Sequence, residues 1–157
     1  MLTNKLMREQ LKLIHWEYIK KISLPSELNE IVTQGFVELA GCFLSKKLLS
    51  YCQSNSPDFF EDEISFECFV NSIHIEDYVI ENYFECSIIF INFMIRSWNK
   101  HYDEKLNFII SLDDETLLPT IKFHLKREGV SWLNEDNLDA SIQAVLITTD
   151  EINFNDA

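Results

Sequence analysis

The chain has 157 residues, 46% of them apolar and 13% aromatic, with thirteen Lys/Arg against twenty-six Asp/Glu for a formal charge of −13. That length suits one domain whose core needs neither disulfide nor metal, and the apolar content excludes a disordered chain. The charge is unsuited to gripping nucleic acid or an anionic membrane surface, both of which are held by Lys and Arg.

The first predicted element is an amphipathic helix. Met7, Leu11, Ile14, Tyr18 and Ile22 recur at spacings of three and four and share one face. Leu24-Pro25 ends it, because the residue before a proline disfavours the helical region. Ser26 then suits an N-cap, with Glu27 and Glu30 in the first turn. The expected second helix runs to about Tyr51, burying Leu28, Val32, Phe36, Leu39, Phe43 and Leu44. Residues 1–54 thus read as a helical hairpin, with Gly35 and Gly41 permitting close helix contact. Residues 53–57 read as a loop. From Ile64 apolar residues alternate (Ile64, Phe66, Cys68, Val70), which predicts a strand. A long helix over 77–101 follows, then strands over 106–112, 120–126 and 141–148, with a turn at Asp113, Asp114 and Glu115. Residues 150–157 read as a frayed tail. The expected fold is α+β: one domain over 1–157, with an N-terminal helical hairpin, one further long helix and a mainly antiparallel sheet of about four strands.

The charge is unevenly spread. Residues 1–54 carry seven Lys/Arg and five Asp/Glu; residues 55–157 carry six and twenty-one. No Lys or Arg occurs over 48–95, or after Arg127. A field of this sign attracts cationic partners and can raise their on-rates by about 10–10³-fold. The N-terminus has no apolar signal core, and the longest apolar run, 87–95, is far short of the ~20 residues of a membrane helix. A cytoplasmic location is expected, with no membrane and no nucleic acid among the partners.

Catalytic and metal signatures are missing from the sequence. Cys42, Cys52, Cys68 and Cys86 form no CxxC and sit among apolar residues, as small buried hydrophobes do. His15, His74, His101 and His124 form no HxH, HxxxH or HExxH pattern; His124, alternating with Lys122 and Lys126, reads as exposed. There is neither a GxSxG elbow nor a glycine-rich phosphate loop. No catalytic residue, metal or cofactor is expected, and the chain reads as a binding protein rather than an enzyme.

Acid and aromatic residues cluster instead. The first cluster is Asp58, Phe59, Phe60, Glu61, Asp62 and Glu63; the second is Asp113, Asp114 and Glu115; the third is Trp132 with Glu135, Asp136 and Asp139. Like charges crowded along a chain repel, and a cationic partner relieves that cost through charge-assisted hydrogen bonds. Adjacent aromatics offer the apolar anchors of an interface. Phe66, alternating inward, is assigned to the core.

In size, acidity, α+β order and lack of an active-site motif, the chain resembles the immunity proteins of bacterial contact-dependent growth inhibition and related polymorphic toxin systems. The resemblance implies a small cytoplasmic inhibitor that binds one cognate toxin domain stoichiometrically. That partner would be basic, a nuclease, engaged through the acidic clusters above. The alternatives are a nucleic-acid mimic or a chaperone-like protein for a basic client, and then a small enzyme.

Overall fold

The computed structural model describes residues 1–52 and 56–153. The elements are β1 (Leu2–Thr3), α1 (Lys5–Lys12), α2 (Trp16–Ile19), α3 (Ser26–Gln34), β2 (Phe36–Leu39), β3 (Cys42–Ser45), α4 (Lys46–Tyr51), α5 (Glu63–Val70), β4 (Ser72–His74), α6 (Tyr83–Asn99), β5 (Leu106–Leu112), β6 (Pro119–Leu125) and β7 (Ala144–Thr148). Short 3₁₀ turns occupy Pro57–Phe59, Ile75–Asp77 and Glu135–Ala140. The fold is α+β. Its main sheet is antiparallel throughout, in the order β1-β7-β5-β6-β4, and β2 with β3 forms a separate hairpin. No helix among the described residues is long and apolar enough to cross a membrane.

Alternation on the strands makes two faces. Leu106, Phe108, Ile110, Ile121, Phe123 and Leu146 look inward, where α6 lays Phe90, Ile91, Met94, Ile95 and Trp98 into the same core. Phe108 and Phe123 stack across β5 and β6 with ring centroids 5.0 Å apart. Ile109, Val145 and Ile147 form a smaller apolar cluster on the outer face, capped by Leu133 and Leu138 from the segment that crosses it.

The N-terminal helical hairpin is not formed. The first helix is interrupted: Leu13 and Ile14 close i→i−3 bonds to Gln10 and Leu11, and α2 is a single separate turn. The second stops at Gly35, whose φ of 72° and ψ of −148° lie in a region open essentially to glycine alone. Residues 36–45 then form the β2–β3 hairpin. Its two loop residues, Ala40 and Gly41, both have positive φ, 52° and 77°, the signature of a type I′ turn that matches strand twist. Helix resumes only at α4, capped by the Ser45 hydroxyl, which accepts from the Leu48 N–H.

The strand expected from Ile64 is a helix. Asp62 caps α5 by accepting the Ser65 N–H at 2.7 Å. The period-two apolar residues are buried because α5 is enclosed on most sides: Ile64, Phe66, Glu67, Cys68 and Val70 all lie inside. Phe66 is in the core, as its sequence assignment required. After α5, strand structure begins only at β4, and the unexpected β1, paired with β7, brings the main sheet to five strands rather than about four. The long helix starts at Tyr83, not at 77, because Asn82 adopts a left-handed conformation.

At the C-terminus, residues 150–153 are docked rather than frayed. Ile152 is buried, and its N–H and carbonyl both pair with the Asn92 carboxamide. Arg96 makes a bidentate pair with Glu151. Residues 154–157 of the expected tail, and 53–55 of the expected loop, lie outside the described residues.

Candidate partner-binding groove

Two buried polar side chains bolt the β2–β3 hairpin to the main sheet. Asn71, following α5, accepts the Ser45 N–H at 2.8 Å and donates to the carbonyls of Phe43 and Phe123. Glu67, fully buried in α5, accepts the Phe43 N–H at 2.8 Å and pairs with the Arg127 guanidinium at 2.5 Å. Arg127 also donates to the carbonyls of Leu125 and Gly41. The hairpin turn is thereby held beside the N-terminus of α5.

Between them lies a groove of about 280 Å³, walled by Ala40 and Cys42 on one side and by Asp58, Phe60, Glu61, Asp62 and Glu63 on the other. The first acidic cluster is therefore gathered along one concavity. Phe60 forms part of its floor, with ring centroids 5.2 Å from both Phe66 and Phe69. Phe59 points away from the core and is 78% exposed. Among the described residues no Lys or Arg nitrogen lies within 4.0 Å of the Asp58, Glu61, Asp62 or Glu63 carboxylates. The Cys42 thiol at the groove's edge is pushed up to about 11, by burial first and by Glu67 second, so it stays protonated and unreactive near neutrality.

The acids do not all serve the same purpose. Hydrogen bonds from the Ser65 hydroxyl and N–H hold the Asp62 carboxyl below the ordinary aspartate range; it is a helix cap as well as a groove wall. Asp113 accepts from the N–H groups of Glu115 and Thr116 and from the Thr116 hydroxyl, which lowers its pKa likewise. Glu135 accepts from Asn107 at 3.2 Å, and Asp139 accepts the Lys5 N–H at 2.7 Å. These residues brace turns and packing.

The three clusters are not one surface. Asp113, Asp114 and Glu115 form the β5–β6 turn at one end of β6, whereas the groove adjoins Arg127 at the other. The seven residues of β6 separate them by about 20 Å. Trp132, Glu135, Asp136 and Asp139 belong to the segment over the outer face, where the Trp132 ring lies 5.7 Å from the Lys122 Nζ.

The sequence hides Ala40 and Cys42 as groove residues because their apolar neighbours also fit a helical stripe; Gly35 and Gly41 are the signal that breaks it. His124 is a correction: it is fully buried against the outer face, not exposed. Its Nδ1 lies 2.8 Å from the Leu125 carbonyl, and its Nε2 has no partner among the described residues. His74 is exposed, 3.8 Å from Glu76. No three His, Cys, Asp or Glu among the described residues converge as a metal site.

Fold and groove together define an α+β protein with an acid-lined concavity beside a small β-hairpin. The chain belongs to the Uncharacterized protein PM0498 family, whose profile matches residues 2–155. It is 30% identical over 138 residues to Uncharacterized protein PM0498 of Pasteurella multocida (strain Pm70), an alignment covering 82% of this chain and 86% of that protein. No solved structure matches.

Proposed function

We propose that the protein is a stoichiometric inhibitor, an immunity protein that seats a basic surface of a cognate toxin domain, a nuclease, against its acidic groove. The observation carrying this reading is the groove itself: four carboxylates on one wall, no neutralising cation within 4.0 Å among the described residues, and an exposed Phe59 between two lining residues. A nuclease site is built to hold phosphates with Lys and Arg. Carboxylates presented on a rigid rim can occupy such a site, and electrostatic steering favours the inhibitor in its competition with substrate. Phe59 supplies an apolar anchor of the kind that dominates interface energetics.

The reading expects a toxin domain encoded immediately upstream, whose growth arrest is relieved by co-expression of this chain. Association kinetics then locate the contact. Asp58→Lys, Glu61→Lys and Glu63→Lys together should slow association by about 10–10³-fold at low ionic strength and flatten its salt dependence. Asp62 is left intact because it caps α5. Unchanged kinetics at low salt would remove the groove from the interface. Inhibition of several unrelated DNA-binding proteins, with no protection against one toxin, would favour a nucleic-acid mimic.

A further inference from the structure

Strand β2 is a sheet edge whose outer side is bonded to nothing among the described residues. Its one bonded neighbour there is β3, in a ladder that pairs Phe36 with Ser45, Val37 with Leu44, Glu38 with Phe43 and Leu39 with Cys42, without a bulge. In an antiparallel pair, the backbone groups of successive residues point alternately toward and away from the partner strand. The far side of β3 fixes that phase. The N–H groups of Phe43 and Ser45 are taken by Glu67 and Asn71, and the Phe43 carbonyl accepts from Asn71, so both residues face away from β2. The Lys46 N–H, which donates to the Gly35 carbonyl at 2.9 Å, has the matching phase. Glu38 and Phe36, opposite Phe43 and Ser45, therefore turn their N–H and C=O groups outward. None of these groups bonds another described residue.

Free edges are ordinarily blunted by lysine, proline or a bulge, and β2 has none of the three. Glu38 is the one charged residue over 35–45. It is exposed and makes no ion pair or hydrogen bond with another described residue. Side chains alternate between the faces of a strand. Phe36 shares the Glu38 face and packs its ring on Trp98, with centroids 4.9 Å apart; Val37 and exposed Leu39 share the other face.

We infer that β2 takes up an extended segment of a basic protein as a further antiparallel strand. Main-chain bonds to Phe36 and Glu38 hold the segment. A Lys or Arg opposite Glu38, with apolar residues opposite Val37 and Leu39, selects it, because cross-strand neighbours share a face. The acidity that admits a cationic strand disfavours a second copy of a chain carrying −13. The edge shares no residue with the lining of the acidic groove and does not depend on that site's role.

Amide exchange, followed by NMR on the full chain, tests both the edge and its occupant. In the free chain the Phe36 and Glu38 amides should exchange quickly, and those of Val37 and Leu39, bonded to β3, slowly. The probe is acetyl-Val-Lys-Val-Lys-Val-amide, whose lysines fall opposite Phe36 and Glu38. Saturable protection of those two amides is expected. Glutamates in place of the lysines should weaken binding by at least about fivefold, the effect of one cross-strand charge pair, and Glu38→Gln should lessen that difference. N-methylation of the two lysine amides, which face β2, should abolish protection; N-methylation of the central valine, which faces away, should leave it. Glu38→Pro should also abolish protection in a folded chain, because the N–H it removes points to solvent; should that variant unfold, the methylated peptides still decide. Equal loss with either methylation, equal binding of the glutamate peptide, or no saturable protection would each overturn the proposal. Protection of Phe36 and Glu38 that grows with protein concentration alone would overturn it in favour of a second copy.

Discussion

At the scale of single residues, the Glu67–Arg127 pair braces the hairpin wall of the groove, and His124 is buried in the sheet. Glu67 has no solvent exposure and one cationic partner, so removing that partner strands a charge. Arg127→Met should cost about 3–5 kcal/mol in denaturant unfolding. Glu67→Gln combined with Arg127→Met should cost clearly less, because no charge is left behind; equal losses would rule out charge stranding as the cause. His124 makes a different prediction. Burial is the main cause of its lowered pKa, against the opposing pull of its bond to the Leu125 carbonyl. The unfolded chain therefore binds a proton near the ordinary value of about 6.5 while the folded chain resists it. The contribution is complete above that value and is lost as pH falls through it. Urea midpoints should drop between about pH 7.5 and about pH 5.5, and His124→Gln should lessen that drop. Identical drops in both chains would assign it to other groups.

At the scale of elements, the hairpin that forms one wall of the groove depends on backbone conformation more than on side-chain packing. A Cβ built on Gly35 or Gly41 meets nothing within 4 Å, so the penalty of a side chain there is conformational. Gly35→Ala should destabilise by about 1–3 kcal/mol, as expected where the native φ/ψ is nearly closed to other residues. Ala40, at φ 52°, already bears such strain. Ala40→Asn should raise stability by up to about 1 kcal/mol, since asparagine tolerates this region. Thermal unfolding of the two variants checks both signs. The same residues explain what was legible. Strands β5, β6 and β7 carry long alternating or continuously apolar runs, and their positions were readable within a few residues. The β2–β3 hairpin has Ala-Gly where Asn-Gly would announce a turn, and its apolar residues also fit a helical stripe. In α5, apolar residues on several buried faces happen to alternate, a pattern that cannot separate a short buried helix from a strand. The acidic cluster was visible as composition; the concavity was not, because its other wall comes from that misread hairpin.

For the whole molecule, the excess of acid has a stability cost that depends on where each carboxylate sits. Five of the thirteen bases, Lys5, Arg8, Lys12, Lys20 and Lys21, lie on or near α1 and α2, with α1 packed against β7, whereas the groove lies by α5 beside β6, across the sheet. In a chain of net charge −13, self-repulsion among the carboxylates opposes the compact state. Glu61, Glu63, Asp114 and Asp136 make no ion pair or side-chain hydrogen bond to a described residue. Neutralising all four to Gln or Asn should raise the urea midpoint at low ionic strength, within the roughly ±0.5 kcal/mol per site of surface changes. The gain should fade near 1 M salt, where the Debye length is about 3 Å. Asp62→Asn and Asp113→Asn test the opposite role. Each carboxylate accepts backbone N–H bonds, and losing its charge weakens those bonds at any salt concentration. Stability should fall with little salt dependence. If the two sets responded alike, the division into bracing acids and acids free to meet a partner would fail, and the groove with it would lose its distinction from the rest of an acidic surface.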